Sequence, residues 1–297
     1  MADQFDVIEA GGQGRRRRWT GVAVLVALLA IPVAGLLAGR DPEPDPRSLP
    51  PGHGTTRPAA PLTTTRAEPN LLQVTPRVKG GDEVLRVVFP DGAPAEVRYP
   101  SRVGLAALGS RPFQGVWVAG QYRRMSAPYG GEAEVSKGGP PLRSLTPNVD
   151  LWPRQPGSGS YGQVLLFAFG HWRLALYDRP DGLSFEQRMA AAGHIRGRVT
   201  KGGYLVLTAT PPVRLAAPGE TVQGDPVGPQ LWFGGVAGDV VGLIPVPDCG
   251  RASQPPMMID RRGRSARVVC RDGVQIAAAG SPAFVERAVK EIRITLK

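Results

Sequence analysis

Val164-Leu165-Leu166-Phe167-Ala168-Phe169-Gly170-His171-Trp172-Arg173-Leu174-Ala175-Leu176-Tyr177 decides the fold class. Its first six residues are continuously apolar, as for a buried strand. Gly170 breaks the run, and His171 to Tyr177 then alternates. The two halves read as the arms of a hairpin.

Working outward, the same grammar recurs. Val84 to Phe89 leads into Pro90-Asp91-Gly92, a strong turn signal, and Ala95 to Tyr99 alternates after it. Val116-Trp117-Val118, Tyr204 to Thr208, Leu231-Trp232-Phe233, Val240 to Val246, Ala266 to Cys270 and Val274 to Ala279 are further short apolar runs. Arg271-Asp272-Gly273 marks a tight hairpin between the last two. Only two helices are well signalled. Ser184-Phe185-Glu186-Gln187 is a capping box, and its helix is expected to stop at Gly193. Ser281-Pro282 is a cap followed by proline at the first helical position, opening a helix to about Lys290. Ile292 to Leu296 is expected to return to the sheet. The fold class is therefore mainly β with one or two helices (α+β). The expected form is a short-stranded antiparallel sheet, sandwich or barrel-like, following one transmembrane helix.

That helix is expected near the N-terminus. Trp19 to Leu37 carries no charge and is rich in Val, Leu and Ile. As a helix it would span about 28 Å, close to the roughly 30 Å of bilayer hydrocarbon. Arg15, Arg16, Arg17 and Arg18 precede it, whereas Arg40 is the one base close behind. The positive-inside rule then predicts a cytoplasmic N-terminus and an exterior C-terminal part. A cleaved signal peptide is the rival, but the run is long for one and lacks a persuasive cleavage site. Residues 41–70 hold eight prolines among threonines and acids, which predicts a solvated spacer. The expected layout is a basic cytoplasmic tail (1–18), a transmembrane helix (19–37), a disordered Pro/Thr-rich stalk (38–70) and an extracytoplasmic β-rich domain (71–297). A further boundary is available near 140–160, where Gly, Pro and Ser concentrate. The expected location is the cell membrane, single-pass.

The formal charge is +11, from 36 basic and 25 acidic residues. Nearly all of the excess falls in residues 76–297, on the side expected to face outward and away from nucleic acid. All but five of the bases are arginine, which either codon bias or recognition of phosphate and carboxylate would explain.

Cys249 and Cys270 are the two cysteines. An even count in an oxidising compartment predicts one disulfide. Arg251, Arg261, Arg262, Arg264, Arg267 and Arg271 crowd in and around the loop it would close. Arg261, Arg262, Arg264 and Arg267 are the anion-binding candidates. Replacing the first three with alanine is expected to weaken binding to anionic wall fractions in a salt-sensitive way.

The catalytic inventory is thin. No phosphate loop, dinucleotide fingerprint or metal-ligand motif occurs, so no catalytic residue, metal or cofactor is assigned. His171 opens a strand and His194 follows a helix. The acids are scattered; Asp178, for instance, stands beside Pro180 in a turn. The leading function is a membrane-tethered extracytoplasmic binding or scaffold module at the cell envelope. Its partners would be the bilayer, through 19–37, and an anionic envelope polymer, lipid headgroups or an acidic protein. The alternative is an envelope hydrolase with a site around His171 or His194. A sensor is disfavoured, because 18 residues before the span are too few to fold a regulatory domain. In layout and arginine bias the chain resembles single-pass, membrane-anchored exported proteins of high-GC actinobacteria. No activity comes with that resemblance.

Overall fold

The computed structural model describes residues 70–153, 162–179, 182–235, 238–251, 256, 259 and 265–297. The chain divides into two compact units, Met1–Thr63 and Thr64–Lys297, and every described residue belongs to the second. The tail with Arg15, Arg16, Arg17 and Arg18, the apolar stretch Trp19 to Leu37 and the residues up to 69 lie outside the described residues. Among the described residues no helix is long and apolar enough to cross a membrane.

The elements run in chain order as β1 (Arg77–Lys79), β2 (Asp82–Val88), β3 (Pro94–Pro100), α1 (Leu105–Leu108), β4 (Ser110–Val118), β5 (Gln121–Ser126) and α2 (Gly131–Ser136). They continue as β6 (Arg143–Thr146), β7 (Val149–Trp152), β8 (Val164–Phe169), β9 (Trp172–Tyr177), α3 (Phe185–His194), β10 (Ile195–Val199), β11 (Leu205–Ala209) and β12 (Val213–Leu215). The last are β13 (Thr221–Val222), β14 (Asp225–Pro226), β15 (Gln230–Phe233), β16 (Val240–Pro245), β17 (Ser265–Arg271), β18 (Val274–Gly280), α4 (Pro282–Glu291) and β19 (Arg293–Leu296). The domain is mainly β, with antiparallel sheets and four helices among the described residues. The two helices with cap signals are both present. The two further helices, α1 and α2, are four and six residues long and have no side-chain cap, so the sequence carries no cap signal for them.

The large sheet has eleven strands. Ten follow the order β17-β18-β16-β15-β4-β5-β9-β8-β7-β6, and β12 joins the free half of one edge of β4. On that edge Ser110 to Phe113 pair with β15, and Val116 to Val118 pair with β12. Gly115 sits between the two partners, donating to Val227 O at 2.8 Å while its carbonyl accepts from Ala216 N at 2.8 Å. A Cβ there would collide with the Val227 carbonyl and the Tyr122 ring, so the crossing needs glycine.

The small sheet has the order β1-β2-β3-β19. Its inner face, Leu85, Val87, Ala95, Val97, Tyr99 and Ile294, packs with Leu231, Phe233, Val241, Leu243 and Ile276 of the large sheet and with Phe284, Val285 and Ala288 of α4. A second core joins Leu165, Phe167, Leu174 and Leu176 of the large sheet with Ile195, Leu205 and Leu207 of the β10–β11 hairpin and Ala191 and Ala192 of α3.

The expected 164–177 hairpin is present as β8 and β9, closed by the two-residue turn Gly170-His171. The Asp272-Gly273 turn joins β17 to β18 with φ values of 48° and 74°, the left-handed pair that a right-twisting two-residue hairpin needs. α3 opens on its capping box: Gln187 N donates to Ser184 Oγ at 3.2 Å, and Ser184 N donates to Gln187 Oε1 at 2.9 Å. The helix continues through Gly193 to His194, one residue past the expected stop. Ser184→Ala is expected to cost about 1 kcal/mol, read as a lowered denaturation midpoint with an unchanged slope. An unchanged midpoint would show that the cap carries no stability.

Candidate functional site

The disulfide joins Cys249 and Cys270, with Cα atoms 5.4 Å apart. Arg267 is exposed on β17, and Arg271 ends that strand. Arg261, Arg262 and Arg264 lie outside the described residues. Within the loop Ile259 is fully buried, packed with Phe113, Trp232, Val240 and Ile244. Arg271 turns toward the end of α4 instead, donating to Ile292 O at 3.0 Å.

Neither histidine faces a carboxylate partner in the described residues. The His171 ring lies beside Trp172, with centroids 5.0 Å apart. His194 Nδ1 meets Thr210 Oγ1 at 2.9 Å. No group of three or more potential metal ligands occurs among the described residues.

Asp178 is wholly buried. Its Oδ1 accepts from Arg123 Nε at 2.7 Å and Arg179 N at 2.9 Å; its Oδ2 accepts from Leu183 N at 2.9 Å and Arg188 Nη2 at 3.0 Å. Burial by itself would raise this carboxyl, but the bonds from Arg123, the backbone and Arg188 outweigh it and hold it low. Arg123 also donates to Tyr122 O and Gln121 Oε1, both at 2.8 Å. The network ties β5 to the loop before α3 and presents no reactive atom to solvent.

A cleft of about 420 Å³ is lined by Trp117, Gly120, Pro211, Pro212, Val213 and Arg214. Register builds it. Arg214 on β12 lies opposite Trp117 on β4, and Trp117 lies opposite Tyr122 on β5, so the three side chains form one row across three strands. The Arg214 guanidinium carbon stands 4.9 Å from the Trp117 ring centroid, and the Tyr122 ring tilts against Trp117 at 5.7 Å. Glu220 holds the far side of Arg214 through two 2.8 Å bonds. Its carboxyl falls to about 2, chiefly through the bond from Arg214; Ala217 N and the Trp117 side chain add to the shift, while burial opposes it. The clamp is therefore charged at every pH above about 2. Its chemistry is that of a fixed, ring-lined wall with a neutralised cation at the rim. In the sequence Trp117 reads as a strand residue and Arg214 has no role, because nothing in either neighbourhood signals that the two meet.

No family model matches the chain, and no curated protein or solved structure matches it.

Proposed function

We propose that the chain is a membrane-tethered extracytoplasmic binding or scaffold module at the cell envelope. The charge-free stretch Trp19 to Leu37 behind Arg15 to Arg18 supports the tether and its orientation. The observation that carries the binding half is the Trp117 cleft. Its ring is positioned before any ligand arrives, by Tyr122 on one side and by the Arg214–Glu220 pair on the other. Preorganised aromatic walls bind at low entropic cost, and buried Trp anchors carry much of the energy of such contacts. The shifted carboxyls of Asp178, Glu220 and Glu291 are each held by arginines in structural pairs. That supports recognition over chemistry.

The test uses the full chain in detergent and fluorescently labelled soluble envelope polysaccharide, read by anisotropy. Saturable binding is expected, weakened about 30-fold by Trp117→Ala. Arg196→Ala, on the separate β10–β11 hairpin, is expected to leave it unchanged. Equal affinity for the wild type and Trp117→Ala would overturn the assignment of the cleft.

A further inference from the structure

The outer face of the small sheet is cationic. Side chains alternate along β-strands, so the residues opposite the buried Leu85, Val87, Val97, Tyr99 and Ile294 share one solvent face. That face carries Arg77, Lys79, Arg86, Arg98, Arg293 and Lys297 against two acidic side chains, Asp82 and Glu96. Register places Arg77, Val84, Arg98 and Arg293 in a single row across all four strands. Arg86, Glu96 and Thr295 form the next row. At about 4.8 Å between strands, the first row is roughly 14 Å long.

The two acids are spent locally. Asp82 holds Arg98 at 2.7 Å, and Glu96 holds Lys297 at 3.1 Å. Among the described residues Arg77, Lys79, Arg86 and Arg293 have no carboxylate within ion-pair distance. The Arg293 guanidinium instead donates to the Lys290 and Ile292 carbonyls at the end of α4, where Arg271 also donates. Two cations held side by side at that rim reinforce the positive field. Val78 and Leu296 are exposed too, but register pairs them with Glu83 and Ala95, so they lie on the other side of the sheet and leave the cationic face polar.

We propose that this sheet face docks on an anionic phospholipid surface. A linear polyanion is best followed by a groove or a single stripe of bases. Here the bases spread in two dimensions, over four strands and successive rows, which matches a planar array of headgroups. Six bases against two acids leave four positive charges in excess on the face, although Glu96 also feels Arg86 and Lys79; at about fivefold per net charge the contact is weak in free solution. The contact is useful only when the membrane is already near, so the inference rests on the tether proposed above. Residues 38–69 are the chain available between Leu37 and Asn70, where the chain is bonded into the domain.

The experiment places the full chain in vesicles of phosphatidylcholine alone and in phosphatidylcholine–phosphatidylglycerol mixtures. Arginines are modified with a dicarbonyl reagent and read site by site by peptide mass spectrometry. Modification of Arg77, Arg86 and Arg293 is expected to slow about fivefold or more on the phosphatidylglycerol vesicles, and salt is expected to reverse the effect. Arg196 and Arg198, exposed on β10, are the internal controls and should not change. In an Arg77→Gln/Arg86→Gln/Lys79→Gln protein, the slowing at Arg293 should be lost. Equal rates on both vesicles overturn the proposal. Equal slowing by soluble polyphosphate added to phosphatidylcholine vesicles overturns it in favour of a polymer. A chain that fails to float with phosphatidylcholine vesicles at high salt overturns the tether alone. The face is then tested by adding that chain to preformed phosphatidylglycerol vesicles, with the same two outcomes.

Discussion

Asp178→Ala is expected to destabilise the folded domain by about 3–5 kcal/mol, a large part of the 5–15 kcal/mol that holds a typical domain together. The reason is what the substitution leaves behind. Arg123 is 4% exposed and keeps its charge, so removal of the carboxylate strands a buried guanidinium. Leu183 N and Arg179 N lose their acceptor at the same time. Asp178→Asn is close in shape but gives little relief, because its amide group turns N–H donors toward other donors. Arg188→Met should cost less, since the Arg188 side chain is 18% exposed and Asp178 keeps Arg123. Asp178→Leu combined with Arg123→Met should recover much of the loss, as neither charge is then left alone. Urea unfolding of the full chain reads all four. A loss below about 1 kcal/mol for Asp178→Ala would show that the site is solvated. The pH dependence has a fixed sign. The folded-state pKa of Asp178 lies below its unfolded value, so its contribution is fully present above about pH 4 and is lost as the pH falls further.

The importance of Asp178 is invisible in the sequence, where it stands as one acid beside a proline in a turn. Its partners are 55 residues before it and 10 after it, and only the pairing of β5 with β9 brings them together. What can be read are local rules with local causes. Apolar runs mark β8, β16 and β18, and two-residue turns mark the β8–β9 and β17–β18 hairpins. The caps at Ser184 and Ser281 mark α3 and α4. The strands that escape notice are those whose local pattern is broken for a distant reason. β10 contains Gly197, which reads as a breaker, yet a Cβ there would run into the Phe169 ring. β5 reads Gln-Tyr-Arg-Arg-Met-Ser, and its Arg123 is buried only because Asp178 waits beneath it. The Trp117 cleft depends on β12 sharing an edge of β4 with β15, a fact of topology that no neighbouring residue announces. The cationic face lies between these extremes. The alternation of Arg77 with Lys79 and of Glu96 with Arg98 is plain, but the four-residue row exists only once the C-terminal strand returns beside β3.

Reduction of the Cys249–Cys270 bridge, or its removal as Cys249→Ser/Cys270→Ser, is expected to cost about 3 kcal/mol, the closure entropy of a loop of some twenty residues. Whether that cost is felt by the whole domain depends on how the loop is held. β17 is the edge of the large sheet and pairs along one side with β18, which by itself would allow local fraying. Two features oppose fraying. Ala266, Val268 and Cys270 pack onto the cluster of Phe113, Trp232, Ala277 and Ala279, so β17 covers part of a core. Ile259, inside the loop, is buried in the same cluster and acts as a second fastening. Ile259→Ala should then cost about 2–5 kcal/mol while the bridge is intact. It should cost clearly less once the bridge is gone, because both fastenings hold one segment against one core, and non-additivity of about 1 kcal/mol or more is expected from such a pair. The cycle of wild type, Ile259→Ala, the double serine variant and their combination, measured by urea unfolding, gives that coupling directly. Strict additivity would mean that the loop and the edge strand detach independently. Loss of amide protection confined to β17 on reduction, with the global midpoint unchanged, would overturn the prediction that the bridge stabilises the domain as one unit.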